Sequence, residues 1–176
     1  MAIKATKDKT AWSDIQMFMG IADEESGDMP TLMETLGILD DQDMTIELTD
    51  GTVYQLKDIN QTLIDELEFE PELEISTFLL NPIMSTIAKF WEVEEDDTVA
   101  DDLWVKSTIT VEKKAVEFKN PKVVGSRGFA APICKATLSP GYSREKGWSY
   151  PVKFKILNTG PKGWFKLSVV KGASNS

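Results

Sequence analysis

The sequence predicts a mainly β protein: two packed antiparallel sheets, a β-sandwich, with one short flanking α-helix. Apolar residues alternate with polar ones over several short stretches, the period of strands with one buried face. Turn formers punctuate those stretches, and only one segment carries helical spacing. The chain has 176 residues with 41% hydrophobic content, a size and composition suited to one folded domain rather than a disordered chain. Residues 12–176 are therefore read as a single β-rich domain, preceded by a flexible arm over 1–11.

Taken in order, "WSDIQMFMGI" (12–21) reads as a short strand or a helical turn. Residues 22–43 are acidic and rich in turn formers, with "DEESGDMP" a loop. In "MTIELTDGTVYQL", Met44, Ile46 and Leu48 alternate with Thr45, Glu47 and Thr49. Asp50-Gly51 then predicts a tight hairpin, with Val53 to Leu56 returning. In "LIDELEFEPELEISTFLL", Glu68 and Glu70 share an acidic face, Pro71 marks an edge or bulge, and Leu73, Ile75 and Thr77 form the buried side.

"NPIMSTIAKFWE" is the helix candidate: Asn81 as cap, Pro82 at the first helical position, and Ile83, Ile87, Phe90 and Trp91 on one face. The acidic run 92–102 reads as a loop. Beyond it lie strands around Trp104, Ile109 and Val111, then "AVEFKN", and then "RGFAAPICKATL" with Phe129, Ile133 and Leu138 inward and Pro132 at an edge or bulge. "WSYPVKFKILN" buries Val152, Phe154 and Ile156, and "WFKLSVV" buries Phe165, Leu167 and Val169. With "TGPKG" as the turn, these last two predict a closing hairpin whose lysines form a basic strip.

Charge is divided along the chain. Residues 1–102 hold 5 basic and 26 acidic residues, whereas 103–176 hold 14 basic and 3 acidic. Exposed ion pairs within one fold contribute only about 0–1 kcal/mol each. Segregation on this scale suits contacts between copies, where an acidic face on one subunit orients a basic strip on the next. The net charge of -10 disfavours nonspecific nucleic-acid binding by the whole surface.

Sequence features for an enzyme are lacking. The chain has no phosphate-cradling glycine loop, dinucleotide fingerprint or nucleophile elbow. With one cysteine and no histidine, it offers neither the usual zinc ligands nor the usual base for a catalytic thiol. Cys134 reads as a buried, inert thiol, and the acidic clusters as solvated loops, since neither has the spacing of a calcium loop. No catalytic, metal or cofactor site is expected. No apolar run approaches membrane-spanning length, and "MAIKATKDKTAWSD" lacks the apolar core of a secretory leader. The five tryptophans, Trp12, Trp91, Trp104, Trp148 and Trp164, read as core or interface anchors, with a sugar groove as the alternative.

The stretch "LGILDDQDMTIELTDGTVYQLKDINQTLIDELEFEPELEISTFLLNPIMSTIAKFW" and the closing "WSYPVKFKILNTGPKGWFKLSVV" together resemble the tail tube proteins of long-tailed bacteriophages, in the order of hairpin, acidic–apolar strand, short helix and terminal strands. The resemblance implies hexameric rings whose inner sheets join into a barrel. The rings stack into a tube through which the genome passes without specific binding, contacting other tail proteins and no membrane. It places the protein in the virion tail after assembly and in the host cytoplasm before. Strands 45–56 and 66–78 would line the lumen, with Glu70, Glu72 and Glu74 as lumen-facing acids. Loop 22–43 or segment 92–106 would make the ring-to-ring contact. The charge split supplies the candidate inter-subunit residues Asp96, Asp97, Asp101, Asp102, Trp104, Lys153, Lys155 and Lys166. The alternative is another β-sandwich structural or interaction module, a virion component or a carbohydrate-binding domain.

Overall fold

The computed structural model describes residues 15–37, 44–51, 53–57, 61, 63–68, 71–100, 102–108, 112–145, 147–158 and 160–171. The expected N-terminal arm, Trp12, Glu70, Asp101, Ile109 and Val111 lie outside these. The protein is mainly antiparallel β. Its strands are β1 (Gln16–Ile21), β2 (Glu34–Thr35), β3 (Thr45–Thr49), β4 (Val53–Lys57), β5 (Leu63–Glu68), β6 (Glu72–Leu80), β7 (Glu92–Glu95), β8 (Leu103–Ser107), β9 (Lys114–Lys119), β10 (Arg127–Leu138), β11 (Tyr142–Ser143), β12 (Gly147–Ile156) and β13 (Lys166–Val169). One helical turn, α1 (Met84–Ile87), follows β6.

Nine strands form one sheet in the order β2-β1-β9-β10-β12-β6-β3, with β11 on β12 and β13 on β10. This sheet folds over at β10 into two layers. The first half of β10 pairs with β9, Phe129 facing Phe118, and the second half pairs with β12, Ala136 facing Phe154. Seven residues of strand would hold those positions about 23 Å apart. Yet the Phe118 and Phe154 rings meet edge to face with centroids 6.2 Å apart. The bend falls where one extra residue of β10 slips in between Ala131 and Cys134. Pro132, which has no N–H to give to a ladder, occupies that bulge.

The core lies between the layers. Met17, Val116 and Phe118 come from one side, Leu73, Ile75, Val152 and Phe154 from the other. The alternating residues of β6 and β12 are buried as their sequence predicts: Leu73, Ile75 and Thr77, and Val152, Phe154 and Ile156. Ile87, Phe90 and Trp91 close the end beside β12. Phe90 lies 6.4 Å from Phe154, and the Trp91 indole N–H donates to the Leu138 carbonyl at 3.0 Å. Cys134 is buried, and its thiol donates to the Lys114 carbonyl.

The structure corrects four local expectations. Asp50-Gly51 is not a hairpin turn. Thr49 faces Glu72 and Val53 faces Glu68, so β3–β4 runs beside β5–β6 in one register and the reversal lies between Lys57 and Leu63. The long open edge of β6, seated in the core, offers 45–49 a full ladder, and that outcompetes a local two-residue turn. Likewise, β12 and β13 do not pair with each other. Both run antiparallel along the same long strand, β12 against Cys134–Leu138 and β13 against Arg127–Ala130.

Asn81 does not cap α1. It has φ 45° and turns the chain out of β6, while Ile83 occupies the cap position without a side-chain hydrogen bond. Pro82 consequently falls ahead of the helix rather than at its first position, since residue 81 is spent on the strand exit. Finally, part of the acidic run is strand, because β7 pairs with β8.

The contact between layers sets the first prediction. Phe154→Ala removes the ring that Phe118 and Phe90 pack against and should cost about 3–5 kcal/mol in urea unfolding. Lys155→Ala, on the outer face, should stay within about 1 kcal/mol.

Candidate assembly surface

The outer face of the β10–β12–β6–β3 layer collects much of the divided charge. In strands every second residue points the same way, and register aligns Lys135 of β10, Lys155 of β12, Glu74 of β6 and Glu47 of β3 in one row across the sheet. Two cations stand beside two carboxylates, so this face grades from basic at β10 to acidic at β3. Within it the Lys153 amine donates to Glu74 at 2.8 Å and the Lys155 amine to Glu72 at 2.5 Å. Lys153 holds the Glu74 carboxyl below its ordinary value, and the same contact raises the Lys153 amine. The candidate acids Glu72 and Glu74 and the candidate cations Lys153 and Lys155 thus neighbour one another in one chain. Lys166 lies apart on β13. The cation beside Lys155 is instead Lys135, which sequence reasoning missed because it took β13, not β10, as the neighbour of β12.

The β7–β8 hairpin gathers a second group. Asp96 opens its turn and accepts from the Thr98 hydroxyl at 2.5 Å, the Thr98 and Val99 amides at 2.8 and 3.1 Å, and the Trp104 indole N–H at 2.7 Å. The Thr98 hydroxyl, then the Thr98 amide and Trp104, hold the Asp96 carboxyl down to about 2. Its role is to tie the turn to Trp104, whose ring stays 61% exposed. Asp97 and Asp102 are exposed on the same turn. Glu94 pairs with Lys106 across the hairpin at 2.5 Å. The abrupt passage from acidic to basic sequence is in part a local pairing within one hairpin.

The sheet also leaves apolar strand faces uncovered. On β3, Ile46 is 48% and Leu48 61% exposed, although they continue the buried face of β6. The ribbon beyond carries exposed Leu56 and Leu63. On β13, Phe165, Leu167 and Val169 were expected in the core and are exposed. The β13 stretch reaches the rim of the sheet, where Phe165 stacks on Phe129 at 5.0 Å. A further group is aromatic: exposed Tyr142 meets exposed Trp148 at 5.5 Å, and Trp148 lies 6.3 Å from half-buried Tyr150.

A concavity of about 740 Å³ lies between β1 and residues 23–34, walled mainly by Met19, Ile21, Met29, Pro30 and Leu32. Ion pairs at its margin join Lys89 with Glu34, Lys114 with Glu112, and Lys162 with Asp28, while the Asp23 carboxylate accepts from the Ser26 hydroxyl. Among the described residues, no group of three or more Cys, Asp and Glu side chains is arranged to hold a metal ion. None of the described helices is long and apolar enough to cross a membrane.

No protein-family model matches the chain, and no curated protein matches it either.

The Asp96 network gives a pH prediction. Its folded carboxyl is depressed, so its stabilisation of the turn is complete above about pH 4, the unfolded range. That stabilisation is lost as pH falls through about 2. The Trp104 indole N–H resonance should titrate with a midpoint near that value, and Asp96→Ala should abolish the titration.

Proposed function

We propose that the chain is a structural subunit that self-associates into hexameric rings stacking as a phage tail tube, with the genome passing through unbound. The observation that carries this reading is the uncovered apolar face of β3 and the ribbon that continues it. A lone domain gains nothing by exposing Ile46, Leu48, Leu56 and Leu63 in one line. An assembling subunit buries such a line against its neighbours. The order of elements that resembles tail tube proteins supports the same reading, as does the charge gradient across the outer sheet face. The acids Glu72 and Glu74 remain the proposed lumen residues, interleaved with Lys153 and Lys155 rather than standing alone. The turn at Asp96, Asp97 and Asp102 with Trp104 is a proposed inter-ring contact.

The exposed aromatic pair of Tyr142 and Trp148, backed by Tyr150, favours a second reading, a β-sandwich module that stacks sugar rings. Adding glycans would then change tryptophan emission, and Trp148→Ala would abolish that change.

Negative-stain electron microscopy beside light scattering, at low and high protein concentration, tests the primary reading. Rings with a central hole or hollow filaments are expected. A monomer under every condition, including with tail-initiating partners present, counts against it. For the lumen, Glu72→Lys with Glu74→Lys should leave the subunit folded and make assembled tubes retain DNA on co-sedimentation. Intact variant tubes with unchanged DNA retention would overturn the lumen placement.

A further inference from the structure

Among the described residues, four strands of the large sheet have a single partner: β2 and β11, of two residues each, and the longer β3 and β13. Among the described residues β3 is paired only through β6, and β13 only through β10. Each is a short strand with one long edge unpaired among the described residues, and their patterns match. β3 reads Met44, Thr45, Ile46, Glu47, Leu48: apolar on one face, with an acid in the middle of the other. The β13 stretch reads Phe165, Lys166, Leu167, Ser168, Val169: apolar on one face, with a cation on the other. Both apolar faces are exposed, Ile46 and Leu48 at 48% and 61%, Leu167 and Val169 at 60% and 55%. Neither Glu47 nor Lys166 forms an ion pair with another described residue. The backbone of β13 is set for a partner as well. Val170 turns its N–H and C=O toward Ser126 and Gly125. By alternation, Leu167 and Val169 direct theirs away from β10.

We infer that β3 of one copy pairs antiparallel with β13 of the next, with Glu47 opposite Lys166. This rests on the self-assembly reading and assigns the strands and register that would carry it. With that pair fixed, antiparallel alignment sets Ile46 against Leu167, Leu48 against Phe165, Thr45 against Ser168 and Met44 against Val169. Over 44–48 each apolar residue meets an apolar one and each polar residue a polar one, the arrangement that stabilises cross-strand pairs, and Thr49 at the end of β3 meets Trp164. Parallel alignment with the same central pair sets Asp50 against Val169, which places a carboxylate on an apolar side chain. Each copy carries one β3 and one β13, so the contact is head-to-tail and closes into a ring or runs on as a helix.

Disulfide trapping in the full chain tests the pairing. Cys134 is buried, with a thiol pushed up to about 12, and stays silent. Glu47→Cys with Lys166→Cys, oxidised at a concentration where light scattering reports assemblies, should give a ladder of linked oligomers on a non-reducing gel. Asp50→Cys with Val169→Cys, opposite each other only in the parallel register, should give none. Separately, Glu47→Lys should raise the concentration needed for assembly by about tenfold or more, and adding Lys166→Glu should restore it. A ladder from the second cysteine pair, or assemblies linked by neither pair, would overturn the inference while leaving self-assembly standing. A chain that never assembles would overturn both.

Discussion

The bend in β10 is the constraint on which the rest of the molecule depends. A flat nine-stranded sheet would leave its apolar face in water. By taking one extra residue at Pro132, β10 turns that face on itself and brings Phe118 of one layer against Phe154 of the other. The same strand gives β12 and β13 one continuous edge to lie along, which is why they meet β10 in succession rather than each other. Trp91 then seals the far end at Leu138. Core, layer order and the location of the free edges all follow from that one bulge.

Alternation along the chain made the buried faces of β6 and β12 legible, because a period of two admits only one inward set, whereas β10 is buried on both faces from Gly128 to Cys134. Pro132 signalled its bulge, since a residue without an N–H has few places in a ladder. Pairing was less legible. Asp50-Gly51 has the chemistry of a tight turn, but the open edge of β6 makes a longer ladder available, and nothing in residues 44–56 alone reveals it. The final lysine-bearing strands failed as a hairpin for the same reason: the length of β10 decides their neighbour. Asn81 lost its cap role because the exit from β6 required a left-handed residue there.

Of the surface candidates, the sequence identified which residues carry charge and missed how they are apportioned. Glu72 and Glu74 were expected to face a lumen and Lys153 and Lys155 to meet a neighbouring copy, yet the four interdigitate on one sheet of one chain. What remains of the charge division is a gradient across that sheet from Lys135 to Glu47, together with Lys166 on the opposite layer, which has no ion pair among the described residues. Asp96 is a different case. Its carboxylate is consumed by its own turn and by Trp104, so it acts as a local fastener whose charge is largely directed inward.

The seating of β6 against β12 also sets a timetable. Lys153 and Glu74, which meet across that seam, are 79 residues apart in the chain. Until β12 has been synthesised, the β3–β6 ribbon is a two-stranded element with no support for its apolar side, and such ribbons are marginal in water. The free rim of β3 is therefore a property of the finished polypeptide. Nascent chains crowded on one messenger would not yet present it, so any association through that rim would follow folding rather than precede it.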